Sequence, residues 1–343
     1  MKTRAALLVE LRHPLEIAEI EIPALAPGQV LVKVERSGIC GAQLNEIDGM
    51  KGPDKFLPHL LGHEAVGDVV EVGPGVTKVR AGDPVVMHWK VGAGIQASTP
   101  KYRWGERTVN AGWVTTFNDV SIASENRLTV LPAGANRATA PLYGCALTTA
   151  FGVISNDARL KLGESVAVIG CGGVGLPCVI AAVQGGAYPV IAVDRVQEKL
   201  EMARRYGATH TILTDGPDLE EAIRAIVPHG VDVAIDNVGR SSIIQAAYRA
   251  TAPKGRVIMV GVPRHDDPIT IDSLPLHFGK VLTGSFGGDT YPTDDIPRYV
   301  RMEMAGRFDL STLISHVFPL EKVNEAIELM RGGGAHRIQL SMQ

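Results

Sequence analysis

The sequence predicts an α/β protein in two parts, a β-rich, partly open barrel and a doubly wound parallel sheet. Three observations lead there. To about residue 147 the chain is rich in β-branched residues, glycine and proline. From about residue 148 short apolar runs alternate with amphipathic stretches, the rhythm of parallel strands joined by crossover helices. At 343 residues the chain is long enough for two domains, each with its own core.

In the first part, Val30–Val34 and Ala65–Val72 read as strands, with Gly73-Pro74-Gly75 and Gly82-Asp83 as turns. In the second, strands are expected at Ser165–Gly170, Val190–Asp194, His210–Leu213, Val231–Asp236, Arg256–Val260 and Val281–Ser285. Between them, Val196–Tyr206 and Asp218–Ile226 carry helical periodicity. The tail from Thr290 holds two more helical stretches and a β-like run, His336–Leu340. The expected domains are 1–147, 148–285, and 286–343 returning to the first.

Composition narrows the function classes. A hydrophobic fraction of 45% and a charged fraction of 21% are ordinary for a globular chain. A net charge of −3 gives no argument for nucleic acid or an anionic membrane as partner. Cys40, Cys145, Cys171 and Cys178 are too few for a disulfide scaffold, and Met1-Lys2-Thr3-Arg4 lacks the apolar core of a secretion signal. A cytoplasmic location with free thiols is therefore expected. Val166–Val183 is apolar enough to imitate a membrane span, but Gly170, Gly172, Gly173, Gly175 and Pro177 break it into a strand, a tight turn and a buried helix.

That break carries the first chemistry. Gly170-Cys171-Gly172-Gly173-Val174-Gly175 fits G-x-G-x-x-G directly after an apolar strand. The first glycine allows the turn, the second lets a pyrophosphate approach the backbone, and the third lets the helix pack on the strand. The helix N-terminus then offers free N–H groups to phosphate. The next strand ends in Asp194, close to the spacing of about 20 residues expected for the acid that binds ribose hydroxyls. A carboxylate there repels a 2′-phosphate and favours NAD(H) over NADP, while Arg195 beside it pulls the other way. A glycine turn without a ligand is the bland alternative.

Cys40, His63 and Cys145 form a two-thiolate, one-imidazole set of the kind that holds catalytic zinc with a fourth position open. Taken singly, each cysteine also reads as a small buried hydrophobe and His63 as a structural histidine. Their flanks, Gly38-Ile39-Cys40-Gly41, Gly62-His63-Glu64 and the glycine turn at 170–175, stand in the order found in one family. So does the stretch Ile314-Ser315-His316-Val317-Phe318-Pro319-Leu320-Glu321-Lys322-Val323-Asn324-Glu325-Ala326. Over essentially its whole length the chain resembles the zinc-type, medium-chain alcohol dehydrogenases. The resemblance implies a GroES-like catalytic domain, a Rossmann NAD domain and a catalytic zinc on Cys40, His63 and Cys145. It further implies Glu64 as a transient ligand and Thr149 near the nicotinamide. Val174 and Val260 would flank the cofactor, and Arg337 would reach its phosphates. Lys199 falls where the family often has a lysine near the ribose; a solvated helix-face lysine is the alternative.

Departures from the family are informative. Val85–Val130 contains no cysteine, so the family's second, structural zinc is expected to be absent. Trp89 stands where the family has a substrate-pocket aromatic. The proton-relay Ser or Thr is replaced by Ala42, which has no exchangeable proton, and a further relay histidine by Asn45. The Asp that usually stands behind the zinc ligands is Gln43, and Gly41 lacks a basic side chain found in some members. Water, a neighbouring substrate hydroxyl or Glu64 is expected to carry the proton. The expected enzyme moves a hydride between NAD(H) and a small-molecule alcohol, with a secondary alcohol, polyol or sugar derivative favoured, and works as a homodimer or homotetramer. Two other readings stand beside it: a lyase or epimerase using tightly held NAD, and a non-catalytic zinc- and nucleotide-binding protein.

Overall fold

The computed structural model describes residues 1–50 and 52–342; Lys51 and Gln343 lie outside the described residues. It divides into two compact units, Met1–Cys145 with the tail from Tyr291, and Ala146–Thr290.

The first unit is built of two sheets. Lys2–Leu8, Glu16–Glu21, Lys101–Trp104, Arg107–Asn110 and His59–Leu60 close on themselves as a small barrel. Strand alternation puts Tyr102 and Val109 inside with Ala5, Leu7 and Ile20, and leaves Lys101 and Arg103 outside. The second sheet is open and seven-stranded, running Leu128–Val130, Pro84–Met87, Ala65–Val72, Gln29–Ile39, Arg337–Ser341, Ile314–Pro319, with Val120–Ser124 also paired to Gln29–Ile39. Gln29–Ile39 is its spine, longer than the expected Val30–Val34 and ending one residue before Cys40. The tail strand Arg337–Ser341 pairs antiparallel with it, setting Ile338 opposite Ile39. That register carries Arg337 to Cys40. The strand Ile314–Pro319 has no buried–exposed alternation, which is why periodicity did not announce it.

The second unit holds a six-stranded parallel sheet in the order His210–Leu213, Val190–Asp194, Val166–Ile169, Val231–Asp236, Thr251–Met259, Val281–Gly284. This is the doubly wound 3-2-1-4-5-6 order, whose ligands bind where the winding reverses. Val166–Ile169 is buried throughout, as a strand covered on both faces must be. Among the described residues no helix is long and apolar enough to cross a membrane.

At the reversal point Asp236 is fully buried and accepts N–H bonds from Val238 and Gly239, both at 3.0 Å. The turn it shapes packs on Gly170, whose added Cβ would press on Val238. Burial pushes the Asp236 carboxyl up to about 6. A folded-state value above the unfolded one means that the native protein holds the proton longer, so this group's stabilisation is full at low pH and is lost as pH rises through about 6. Asp236→Asn is therefore expected to remove a fall in stability of about 2–3 kcal/mol between pH 4 and 7. Melting curves of both proteins across that range check it; parallel pH profiles would refute the burial argument.

Candidate active site

Three chain segments deliver the three ligands to one place in the first unit. Cys40 follows the spine strand and caps the helix Gly41–Ile47. His63 follows Gly62, whose positive φ of 88° sits where a Cβ would overlap Thr116. Cys145 follows the short helix Ala140–Gly144. One ligand atom from each lies within 4.8 Å of the others, among Cys40, His63 and Cys145. That spacing suits a tetrahedral zinc with sulfur ligands at about 2.3 Å and nitrogen at about 2.0 Å.

The donors are prepared electrically as well. A hydrogen bond with Cys145 holds the Cys40 thiol well below its ordinary value against burial, and the His63 ring and the Arg337 guanidinium add to this. A thiol biased toward thiolate is what a metal requires. His63 Nε2 is buried and has no hydrogen-bond partner, an orphan that a metal would satisfy. The residues present fit a catalytic zinc.

Behind the ligands lies Glu64, fully buried, paired with the equally buried Arg337. Burial pulls the Arg337 guanidinium below its ordinary value, and Cys40 opposes that. Glu64 is admitted by two glycines. A Cβ on Gly38, two residues before Cys40, would overlap the Glu64 carboxylate. A Cβ on Gly144, next to Cys145, would come within 2.7 Å of Glu64 Cβ. The glycines beside the two cysteines thus make room for the acid between them. Arg337, which the resemblance assigns to cofactor phosphates, keeps its Nε without a partner.

Gln43 has a part that its replacement of an acid did not foretell. Its Oε1 accepts the Cys40 N–H at 2.9 Å, the return half of a capping box. That fixes the amide so that Nε2 faces His63 Nδ1 at 2.6 Å and donates to it. Donation to Nδ1 leaves a ring proton at Nε2, so a metal held there would move that proton to Nδ1 against the Gln43 amide, a cost to zinc affinity at a site whose donors otherwise suit it. Ala42 is exposed and Asn45 half-buried, so neither offers a titratable relay group. Trp89 is half-buried, with the Lys90 ammonium 5.7 Å from its ring centre.

The cofactor residues gather in the second unit. Gly170 turns with φ of 86°, and a Cβ on Gly175 would overlap its carbonyl oxygen. A Cβ on Gly172 would meet nothing, leaving open backbone for a pyrophosphate below the N-terminus of the helix Gly175–Gln184. Gly173 and Val174 complete that turn. Asp194 accepts the Cys171 N–H at 2.7 Å and the Val196 N–H at 3.0 Å, locking the turn to the second strand. Burial, aided by Asp194, pushes the Cys171 thiol up to about 12, while Lys199 acts the other way. Lys199 is thus half-buried near the turn rather than on a purely solvated face. Val260 donates its N–H to Asp236 O at 2.8 Å, beside the reversal point. Thr149 is buried on the helix Ala146–Gly152, whose carbonyl at 149 abuts Gly288. The residues present fit a dinucleotide.

The chain is similar to known proteins over its whole length. Residues 26–133 match the alcohol dehydrogenase GroES-like domain, and residues 173–303 match the zinc-binding dehydrogenase domain. An S-(hydroxymethyl)glutathione dehydrogenase of Escherichia coli O1:K1 / APEC is 31% identical over 98% of this chain and 99% of its own. A solved alcohol dehydrogenase zinc-binding domain protein from Burkholderia ambifaria superposes with a TM-score of 0.93, at 28% identity, over 100% of this chain and 99% of that one. Benzyl alcohol dehydrogenase from Acinetobacter calcoaceticus gives 0.91 at 26%, over 100% of both.

Two substitutions test the site. Gly38→Ala drives a methyl into Glu64 and is expected to cut zinc content after purification by more than half; full zinc by mass spectrometry would show that the glycine is not needed. Gln43→Asp offers His63 Nδ1 an acceptor and frees Nε2 for metal, so zinc affinity by chelator competition should rise about tenfold. Equal or weaker affinity would contradict the proton placement.

Proposed function

The chain belongs to the zinc-binding alcohol dehydrogenase family, and from that premise we propose its particular reaction: hydride transfer between NAD(H) and a secondary alcohol, polyol or sugar derivative. The observation that carries this is the convergence of Cys40, His63 and Cys145 over a buried Glu64–Arg337 pair. A zinc ion held by Cys40, His63 and Cys145 would supply Lewis-acid polarisation of an alcohol oxygen, and a bound NAD would supply the hydride acceptor. The protein's own work is to hold these groups. Cys40 and Cys145 supply thiolates, and His63 supplies its Nε2. Arg337 holds Glu64 in a buried ion pair, which makes that acid a poor carrier for the substrate proton. With Ala42 and Asn45 also unsuited, the proton leaves through water or through a hydroxyl next to the reacting carbon. The second route favours polyols and sugar derivatives over simple alcohols.

Asp194 supports NAD over NADP, because its carboxylate stands at the end of the second strand where a 2′-phosphate would be repelled. One zinc per chain is our count. What supports it is the cysteine-free stretch 85–130, whose loop is pinned by Glu125 accepting N–H bonds from Lys78 at 2.7 Å and Ile95 at 2.6 Å. The four cysteines form no disulfide, which supports a cytoplasmic site of action.

We also propose a homodimer or a tetramer of such dimers. Val281–Gly284 is an outer strand of the six-stranded sheet, and Val262, Phe278, Val281 and Phe286 are exposed around it. An unpaired edge with apolar neighbours is a template for a second copy.

An NADH-production screen over alcohols, polyols, sugars and sugar phosphates, with zinc measured on the same sample, tests the reaction. Net NADH from a polyol or sugar derivative is expected. NAD that survives purification and cycles without net NADH would replace this reading with transient oxidation by a lyase or epimerase. For the assembly, sedimentation should give twice or four times the chain mass; a monomer would refute it.

A further inference from the structure

Arg127 is buried without a counter-ion. It is 4% exposed, its Nη1 has no hydrogen-bond partner, and among the described residues no carboxylate pairs with it. Burial alone pulls its guanidinium below the ordinary value. Such a charge is costly and calls for an occupant.

The surroundings say what kind. Arg127 Nη2 donates to Gln96 Oε1 at 3.3 Å, and Asn126 Nδ2 donates to the same oxygen at 3.2 Å. Asn126 is itself 3% exposed, with its Oδ1 3.0 Å from Ser124 Oγ and its Nδ2 toward Gln96 Oε1. Two rigid, buried donors therefore converge on one point, and a third, Nη1, lies beside it unused. The oxygen at that point belongs to an exposed glutamine, and both bonds are long. The Trp113 ring centre lies 5.4 Å from the guanidinium, with the indole partly in solvent. A guanidinium fork with an amide N–H alongside matches a carboxylate or phosphate far better than it matches one amide oxygen.

The backbone that carries Arg127 pairs with the strand that runs toward the metal-site segments. Leu128 pairs with Met87, the Arg127 carbonyl accepts the His88 N–H at 3.0 Å, and Trp89 comes next. The Met87 carbonyl abuts Gly144, the neighbour of Cys145.

We infer that Arg127 and Asn126 form an oxyanion subsite, occupied by Gln96 Oε1 until a ligand displaces it, and that the substrate is an alcohol bearing a carboxylate or phosphate group. That the ligand is the substrate rests on the proposed reaction; the anion site itself does not.

The test uses the full-length, zinc-loaded protein, with inorganic phosphate as the binding probe. Gln96→Glu places a carboxylate at the acceptor point from an exposed position, so folding is not at risk. Wild type should melt higher as phosphate reaches millimolar levels. Gln96→Glu should melt above wild type without phosphate and not respond to it, and Arg127→Leu should lose the response. In kinetics, wild type should favour the terminal phosphate ester or aldonic acid of a polyol over the neutral polyol by about tenfold or more in kcat/KM. Gln96→Glu should abolish that ratio. Equal phosphate responses in wild type and Gln96→Glu would overturn the site. A Gln96-dependent phosphate response with an unchanged kinetic ratio would overturn the substrate assignment in favour of a free anion. If wild type oxidises no alcohol at all, the proposed reaction fails, and the melting experiment still decides the site.

Discussion

Glu64 brings a carboxylate to a fully buried place, and much of the first unit is arranged around that fact. A buried charge needs a partner, and Arg337 is delivered by the last strand of the chain, paired antiparallel to the strand that leads into Cys40. The acid also needs room, and Gly38 and Gly144 provide it by lacking side chains. The Glu64 carbonyl accepts N–H from Gly38 at 3.0 Å and the Ser37 hydroxyl at 3.2 Å, which ties the His63 segment to the Cys40 segment. The Arg337 guanidinium in turn faces Cys40 and favours its thiolate. Metal binding, the antiparallel return of the tail and the glycine spacing around the cysteines thus answer to one buried ion pair.

The second unit rests on a different economy. Its turn 170–175 is held by backbone geometry and by the two N–H bonds to Asp194, so no side chain stands between Gly172 and a pyrophosphate. Asp236 shapes the facing turn at the reversal of the sheet. The recognition surface is therefore made of main chain, and the acids serve to hold it still.

Much of this was legible in the sequence, for physical reasons that can be named. Val166–Ile169 and Val190–Asp194 are short, apolar and bounded by glycine or charge, so strand and turn could be read locally. The glycine turn and Asp194 keep a spacing set by one strand–helix–strand unit. The zinc ligands were legible only through their flanks, because residues 40, 63 and 145 meet by tertiary folding and no local period joins them. The pairing of residues 64 and 337 is beyond any local signal, and Gly38 and Gly144 looked like turn glycines until Glu64 was seen between them. Gln43 read as a lost acid, whereas the structure makes it a cap that orients His63. Arg127 gave no signal at all: its lack of a counter-ion is a property of what folds around it.

Two thiolates and one imidazole of this chain are placed to hold a zinc ion beside the Glu64–Arg337 pair. X-ray absorption spectroscopy at the zinc edge of the purified protein tests it most directly. Two sulfur ligands at about 2.3 Å are expected, with nitrogen or oxygen completing the shell at about 2.0–2.1 Å. A shell of four sulfurs, or one of nitrogen and oxygen alone, would contradict it.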